Sequence, residues 1–420
     1  MLLLSSLKKL SQNSVRIIVL IFLNTIVISC TPRVKPPSLA TLPIPVTPSV
    51  SSSPTIFATV PLPASLTPTN TSPSIASAND IIATGSIHSI PLDSITQEAD
   101  TDAQITVDDH DIYLIGVGGG RDDTLFRIPL DGGKPEKIAV SKYAGGVLFS
   151  FRPIVSSNWI IFGDTPYNNP SKWMIRAVNL KDLSERVVID EEDDTANLLN
   201  NFNYAAEGDN LYWTVPVPQS NQQYDNTISM MNLDTGKTVI LTSTEVNGWS
   251  WSILGVSEGR LVVEQDSDND HGGGTNIFLF DPVGGQPQAL STDGASDMPL
   301  IVYPWVAWKA GPRYQWLKVL QIYNLQTSQT RSIILPGSED SDPQMDGTRI
   351  YWSGATDDTF SYFALYIFDL IKNIIYVYPA TENNVKFSSI AIHGGAIAWI
   401  RRVDSSTGMP HSYLEWTTIK

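Results

Sequence analysis

The chain has 420 residues, with 43 Asp plus Glu against 27 Lys plus Arg, for a formal net charge of −16. An acidic balance of this size is a poor match for nucleic acid or an anionic lipid surface, both of which call for clustered cations. The single cysteine excludes intramolecular disulfides and cysteine-based metal sites.

Residues 1–29 carry Lys8, Lys9 and Arg16 and no acidic residue, and include an apolar run, IIVLIFLNTIVI, from Ile17 to Ile28. A hydrocarbon core of about 30 Å needs roughly 20 such residues, so the run is too short to span one. A basic start followed by a short apolar run is the layout of a secretory signal peptide. It ends in Val27-Ile28-Ser29-Cys30, and this aliphatic–small–cysteine ending resembles the bacterial lipobox. The resemblance implies cleavage before Cys30 and diacylation of its thiol, and two acyl chains anchor stably where one is marginal. The expectation is an exported chain held by lipid to the cell membrane or the outer membrane. Thr31 follows the cysteine, and no Asp stands there to argue for inner-membrane retention.

Residues 30–79 read as a tether. Between Thr31 and Asn79 lie 11 of the 28 prolines, many Ser and Thr, and only Arg33 and Lys35 as charges. Such composition buries no core and favours extended polyproline-like chain, with a full reach on the order of 150 Å. All 43 acidic residues therefore fall in residues 80–420, against 22 basic ones, for a net of −21.

From there a short apolar strand recurs: DIYLIG at 111–116, NWIIFG at 158–163, NLYWTV at 210–215, RLVVEQ at 260–265, WVAWKA at 305–310, RIYWSG at 349–354 and AIAWIR at 396–401. Anchors at Ile112, Trp159, Leu211, Leu261, Val306, Ile350 and Ile397 follow one another in steps of 47, 52, 50, 45, 44 and 47. A second strand follows each anchor and ends near Pro129, Asn179, Asn232, Asp281, Asn324, Asp369 and Thr417, at a nearly constant separation. A tight inner spacing inside a looser outer one is what a repeated hairpin produces. With a strand before each anchor and another after each hairpin, every repeat holds four short strands, the content of one propeller blade. The expected fold is all-β: a seven-bladed β-propeller of four-stranded antiparallel blades over residues 80–420. The seventh repeat runs out at Lys420 before its fourth strand, while GSIHSIPL stands spare upstream of the first. That N-terminal stretch is expected to supply the missing strand and close the ring.

Leu211-Tyr212-Trp213-Thr214, Ile350-Tyr351-Trp352-Ser353 and the Leu233-Asp234-Thr235-Gly236 turn resemble bacterial propellers of the TolB-like and YWTD-type groups. No Asp follows the Trp-Thr or Trp-Ser pair, and Ser-Pro-Asp-Gly turns are absent. The resemblance implies the fold, and members of such groups mostly bind proteins or glycans. Two residues past the anchors stand Leu114, Ile161, Trp213, Val263, Trp308, Trp352 and Trp399. Because aliphatic residues share this position, packing between blades is expected here in preference to a sugar-binding stripe.

Loops between second and third strands should share one face of the disc, and they are rich in Asp, Asn, Tyr and Gly. The candidate ligand contacts on it are Arg121, Asp122, Tyr167, Tyr224, Tyr314, Trp316, Tyr362 and His411. Asp266, Asp268 and Asp270 alternate as in a Ca²⁺ loop, but His271 and Ile277 stand where that loop needs Gly and Glu, which favours a solvated acidic loop. Two strings are decoys: Gly255-Val-Ser257-Glu-Gly259 matches a nucleophile elbow and Gly116-Val-Gly118-Gly-Gly120 a dinucleotide loop, yet neither opens a helix. The five histidines show no zinc spacing. No catalytic residue is assigned. The leading reading is a membrane-anchored module presenting its loop face to a glycan, a peptide or a protein, with a propeller-fold polysaccharide hydrolase or lyase as the alternative.

Overall fold

The computed structural model describes residues 72–82, 87–96, 103–117, 123–143, 145–166, 172–192, 204–218, 224–245, 249–267, 274–282, 287–311, 319–336, 338–339, 343–356, 363–379, 385–404 and 410–419. Chain contacts separate Met1–Leu62 from Pro63–Lys420, and the second unit holds every described residue. Within it the strands form seven sheets with no α-helix among the described residues; two short 3₁₀ turns stand at Ala78–Asp80 and Leu92–Ser94. The seven sheets are the blades of a β-propeller.

Blade 1 is Gln104–Val107, Asp111–Val117, Asp123–Pro129 and Glu136–Val140. Blades 2 to 5 repeat this antiparallel order from Gly146–Ser156 through to Gln329–Ile334. Blade 7 takes Val385–His393, Ala396–Val403 and His411–Thr418 from the end of the chain and His88–Pro91 from its beginning. The closing strand pairs antiparallel with the third strand, from His88 opposite Trp416 to Pro91 opposite Tyr413. The spare N-terminal stretch thus fills the vacant place, and the ring is closed by hydrogen bonds between the two ends of the fold.

Blade 6 carries an addition. Its strands Arg349–Ala355, Phe363–Asp369 and Ile374–Pro379 are regular, and Ser338–Glu339 and Gln344–Asp346 both pair with the first of these. Outside them Ser74–Ser77 pairs in parallel with Ile374–Val377. This strand falls within the stretch read from composition as tether, so the folded part begins upstream of Asp80.

The core is a ring of slabs rather than one ball. The described buried apolar residues fall into seven clusters, one in each joint between neighbouring blades. Strand alternation explains this: successive side chains point to opposite faces of a blade, and both faces are covered. Ile112, Leu211, Leu261, Val306, Ile350 and Ile397 and the residues two beyond them are buried against the preceding blade. The four tryptophans at the +2 position, Trp213, Trp308, Trp352 and Trp399, are accordingly packing residues.

Blade 2 corrects the alignment by one residue. Asn179 lies opposite Trp159, as Asn232 lies opposite Asn210 and Asp369 opposite Arg349. The true anchor is therefore Ile160, with Phe162 two beyond it. Ile160 and Phe162 face blade 1, while Trp159 and Ile161 face blade 3. A one-residue slip changes the face of every side chain. In blade 7 the corresponding end residue is Thr418, opposite Ala396, rather than Thr417.

The repeated Asn or Asp has a local role. Asn179, Asn232, Asn324 and Asp369 each accept backbone N–H bonds on Oδ1 from residues two or three ahead, at 2.8 to 3.0 Å. Their carbonyls accept from Leu183, Gly236, Ser328 and Asn373, all at positive φ. Each turn is thus an Asx turn closed by one left-handed residue. The next residue extends the ladder backwards: Leu130, Leu180, Leu233, Leu325, Leu370 and Ile419 donate to His110, Asn158, Asp209, Pro304, Thr348 and Gly395. Blade 4 has Pro282 at this place, which has no N–H to give.

Candidate functional site

The two faces of the disc differ in their connections. First-to-second strand turns hold two residues in six blades and three in blade 1. Third-to-fourth strand turns share that face, called here the turn face. Second-to-third strand connections lie opposite and run five to eight residues, which makes that side the loop face.

Most candidate contacts belong to those loops. Arg121, Asp122, Tyr167, Tyr314, Trp316 and Tyr362 lie outside the described residues, as do Asp268, Asp270 and Cys30. Three candidates can be placed by their backbones. Tyr224 opens the third strand of blade 3 opposite Pro218. Asp266 stands near the end of the second strand of blade 4, opposite Ser250 and Thr275. His411 opens the third strand of blade 7 opposite Val403 and is exposed. All three sit at the loop-face ends of their strands, in three different blades. Among the described residues no group of three His, Cys, Asp or Glu side chains could hold a metal ion.

Both decoy strings have structural roles. Ser257 ends one strand and Arg260 begins the next, so Glu258 and Gly259 form a hairpin turn with both φ values positive. The Ser257 hydroxyl accepts the Tyr303 N–H at 3.0 Å, and the Glu207 carboxylate accepts the N–H groups of Glu258 and Gly259 at 2.6 and 2.7 Å. This serine therefore braces blade 5 against blade 4. Gly116 leaves room for Thr96: a Cβ there would come within 2.5 Å of the threonine methyl. Its glycine serves the approach of the N-terminal segment to blade 1.

The turn face carries one described cleft of about 380 Å³, lined by Asp346, Thr348, Arg349, Tyr351, Asp369, Ile371, Lys372 and Gly395. Its charges are balanced, two acids against two bases, and Lys372 Nζ lies 3.8 Å from Asp369. Tyr351 is buried beneath it, and burial drives its hydroxyl well above the usual phenol range.

Sequence reading missed a buried polar cluster between blades 1 and 2. Arg176, on the third strand of blade 2, is 1% exposed and pairs with the fully buried Asp164 at 2.7 Å. It also donates to the Val140 carbonyl of blade 1 at 2.7 Å and to Glu185 at 2.8 Å, and lies over the Phe162 ring. Asp164 further accepts the Ser141 hydroxyl and the Lys142 N–H, at 2.6 and 2.8 Å. Burial pushes the Glu185 carboxyl up, but hydrogen bonds and charge from Arg176 and Lys142 bring it below the ordinary carboxylate range. With every charge met inside the joint between blades 1 and 2, the cluster reads as a clasp. The visible signal was an arginine inside the apolar run WMIRAVN.

No family model matches the chain, and no curated protein matches it. Solved structures do. TolB from Acinetobacter baumannii is similar at 14% identity and a TM-score of 0.41, over 62% of this chain and 60% of that one. An oligogalacturonate lyase from Vibrio parahaemolyticus aligns at 11% identity, TM-score 0.49, over 82% and 98% of the two chains. The β-propeller domain of a trilobed protease from Pyrococcus furiosus aligns at 10% identity, TM-score 0.49, over 74% and 95%. The chain thus spans about 60% of TolB's length, and the likeness in all three is one of fold.

Proposed function

We propose that the chain is an exported binding module, held to a membrane through an acylated Cys30, whose propeller offers its loop face to a glycan, a peptide or a protein partner. The observation that supports this reading best is the asymmetry of the disc. One face is built from first-to-second strand turns of two or three residues and third-to-fourth ones of four to seven. The other receives the seven second-to-third connections of five to eight residues, with the Tyr-, Asp- and Asn-rich sequences expected of a polar binding surface. Alternating aromatic and acidic groups suit neutral or cationic partners, since the folded region carries a large negative net charge.

The test has two parts. Full-length protein and a Cys30→Ser variant are separated into membrane and soluble fractions; the variant should move to the soluble one. Both are then screened on a glycan array and by pull-down. Retention that is lost on joint Tyr167→Ala and Tyr362→Ala substitution, with the melting temperature unchanged, is the expected result. Release of shorter saccharides during the same incubations would replace this reading with the hydrolase or lyase one. Equal retention by the substituted protein would remove the loop face as the binding surface.

A further inference from the structure

We infer that the chain enters the propeller through its turn face, on the side of the disc opposite the second-to-third strand loops. This entry geometry does not depend on the anchored-module reading. Strand direction carries the argument. Ile374–Pro379 leaves the turn that joins the third and fourth strands of blade 6, so it runs from the turn face toward the loop face. Ser74–Ser77 lies parallel to it, Ser74 opposite Ile374 and Ser77 opposite Val377. Its first residue must therefore stand at the turn face, and the Ser74 N–H bonds the carbonyl of Asn373 in that very turn at 3.2 Å. Everything N-terminal to Ser74 reaches the fold at this corner.

The residues after Ser77 fasten the corner in place. Ala78, Ile81 and Ile82 are buried in the joint between blades 6 and 7. Ile82 bridges to Ile419, beside the third-strand end of blade 7 at the turn face. His88–Pro91 then climbs blade 7 as its closing strand, and Leu92 is buried in the joint between blades 7 and 1. Thr96 finishes against Gly116 of blade 1. A single N-terminal strap, Ser74 to Thr96, thus ties three consecutive blades. Apolar burial at Ile81, Ile82 and Leu92 keeps the short, exposed Ser74–Ser77 strand from being the only attachment. A parallel strand added at the rim is not needed to close the ring, because blade 7 is already complete. Its consequence is to fix the direction of entry.

The experiment uses the full chain, whose one native cysteine is blocked when acylated. Lys372 at the turn face and Thr356 at the loop-face end of blade 6 are exposed and share one blade. They are separated by a strand length of about 20 Å. Lys372→Cys and Thr356→Cys proteins each also carry Thr69→Cys and are spin-labelled at both new cysteines.

A spin label at Thr69→Cys, five residues before Ser74, can reach at most about 17 Å from it. Paired with a label at either site, it should give a shorter distance to Lys372 by about 10 Å or more. If the two distances are equal, turn-face entry itself is overturned.

Discussion

The joint between blades 6 and 7 and the joint between blades 1 and 2 solve the same packing problem with opposite chemistry. In both, the deciding position is the third-strand residue opposite the one two beyond the anchor. It is Glu415, facing Trp399, in blade 7 and Arg176, facing Phe162, in blade 2. Glu415 works at the margin of an apolar slab built from Phe387, Ile390, Leu365 and the strap residues Ile81 and Ile82. It accepts the Trp399 indole N–H at 2.9 Å and the part-exposed Arg401 at 2.6 Å. Arg176 is almost wholly buried, and its charge is met by the buried Asp164 and the part-exposed Glu185. The first joint is held by area, which can be lost in increments. The second holds a pair in which Asp164 without Arg176 is a buried carboxylate left with neutral donors alone.

The largest effect should come from removing the strap. Ile81, Ile82 and Leu92 alone contribute on the order of 5–9 kcal/mol of apolar burial, comparable with the whole stability of many domains. Deleting residues 74–96 should abolish a cooperative thermal transition, while deleting residues 31–70 should leave the melting temperature in place. Equal losses would mean that the ring does not depend on its N-terminal strand.

Next in size, Arg176→Met should cost about 3–5 kcal/mol in urea unfolding by orphaning Asp164, and Arg176→Met with Asp164→Leu should recover most of it. Glu415→Leu, at the matching position, should cost only about 1–3 kcal/mol, the value of an unmet buried indole N–H. If the double substitution in blade 2 is as damaging as the sum of the singles, the clasp is held by something other than the pair.

Acid sharpens the same contrast. The folded-state value of Glu185 lies below its unfolded one, so its contribution is complete above the unfolded value and is lost as pH falls through the folded value. Stability should decline as pH falls below the ordinary glutamate range, and Glu185→Gln should flatten the slope there. An unchanged slope would show that other carboxylates set the acid limit.

The smallest effect is a gain. Leu183 closes the Asx turn of blade 2 at φ 57, where a branched side chain costs about 1–2 kcal/mol. Leu183→Gly should return part of this, raising the unfolding midpoint. A lower midpoint would mean that the packing of Leu183 outweighs its backbone strain.

The sequence made the ring legible because its signal is periodic: one buried strand pattern, seven times, with a turn residue at a set distance. Strand counting also located the closing strand. The one-residue slip at Trp159 came from Trp-Ile-Ile-Phe, which is buried on both faces and offers no alternation to fix the register. Ser74–Ser77 escaped notice for the opposite reason. Three of its four side chains are exposed, so it carries no hydrophobic imprint amid Ser and Pro. The Arg176–Asp164 pair was hidden because its members lie on different strands, and only the hairpin register brings them together. Of the candidate site, what was legible was which face receives the long loops. The identity of its contacts rests on residue type alone, since most of them fall outside the described residues.

Closure by the strap is the claim on which the account stands, and native-state hydrogen exchange of the full chain tests it most directly. Alternate amides of this edge strand face its neighbour, and the one of the Ser89–Ile90 pair that does so should open with the same free energy as those of Ala398 and Ile400, its companions in blade 7. Exchange of both Ser89 and Ile90 orders of magnitude faster than Ala398 and Ile400 would show that the ring closes without them.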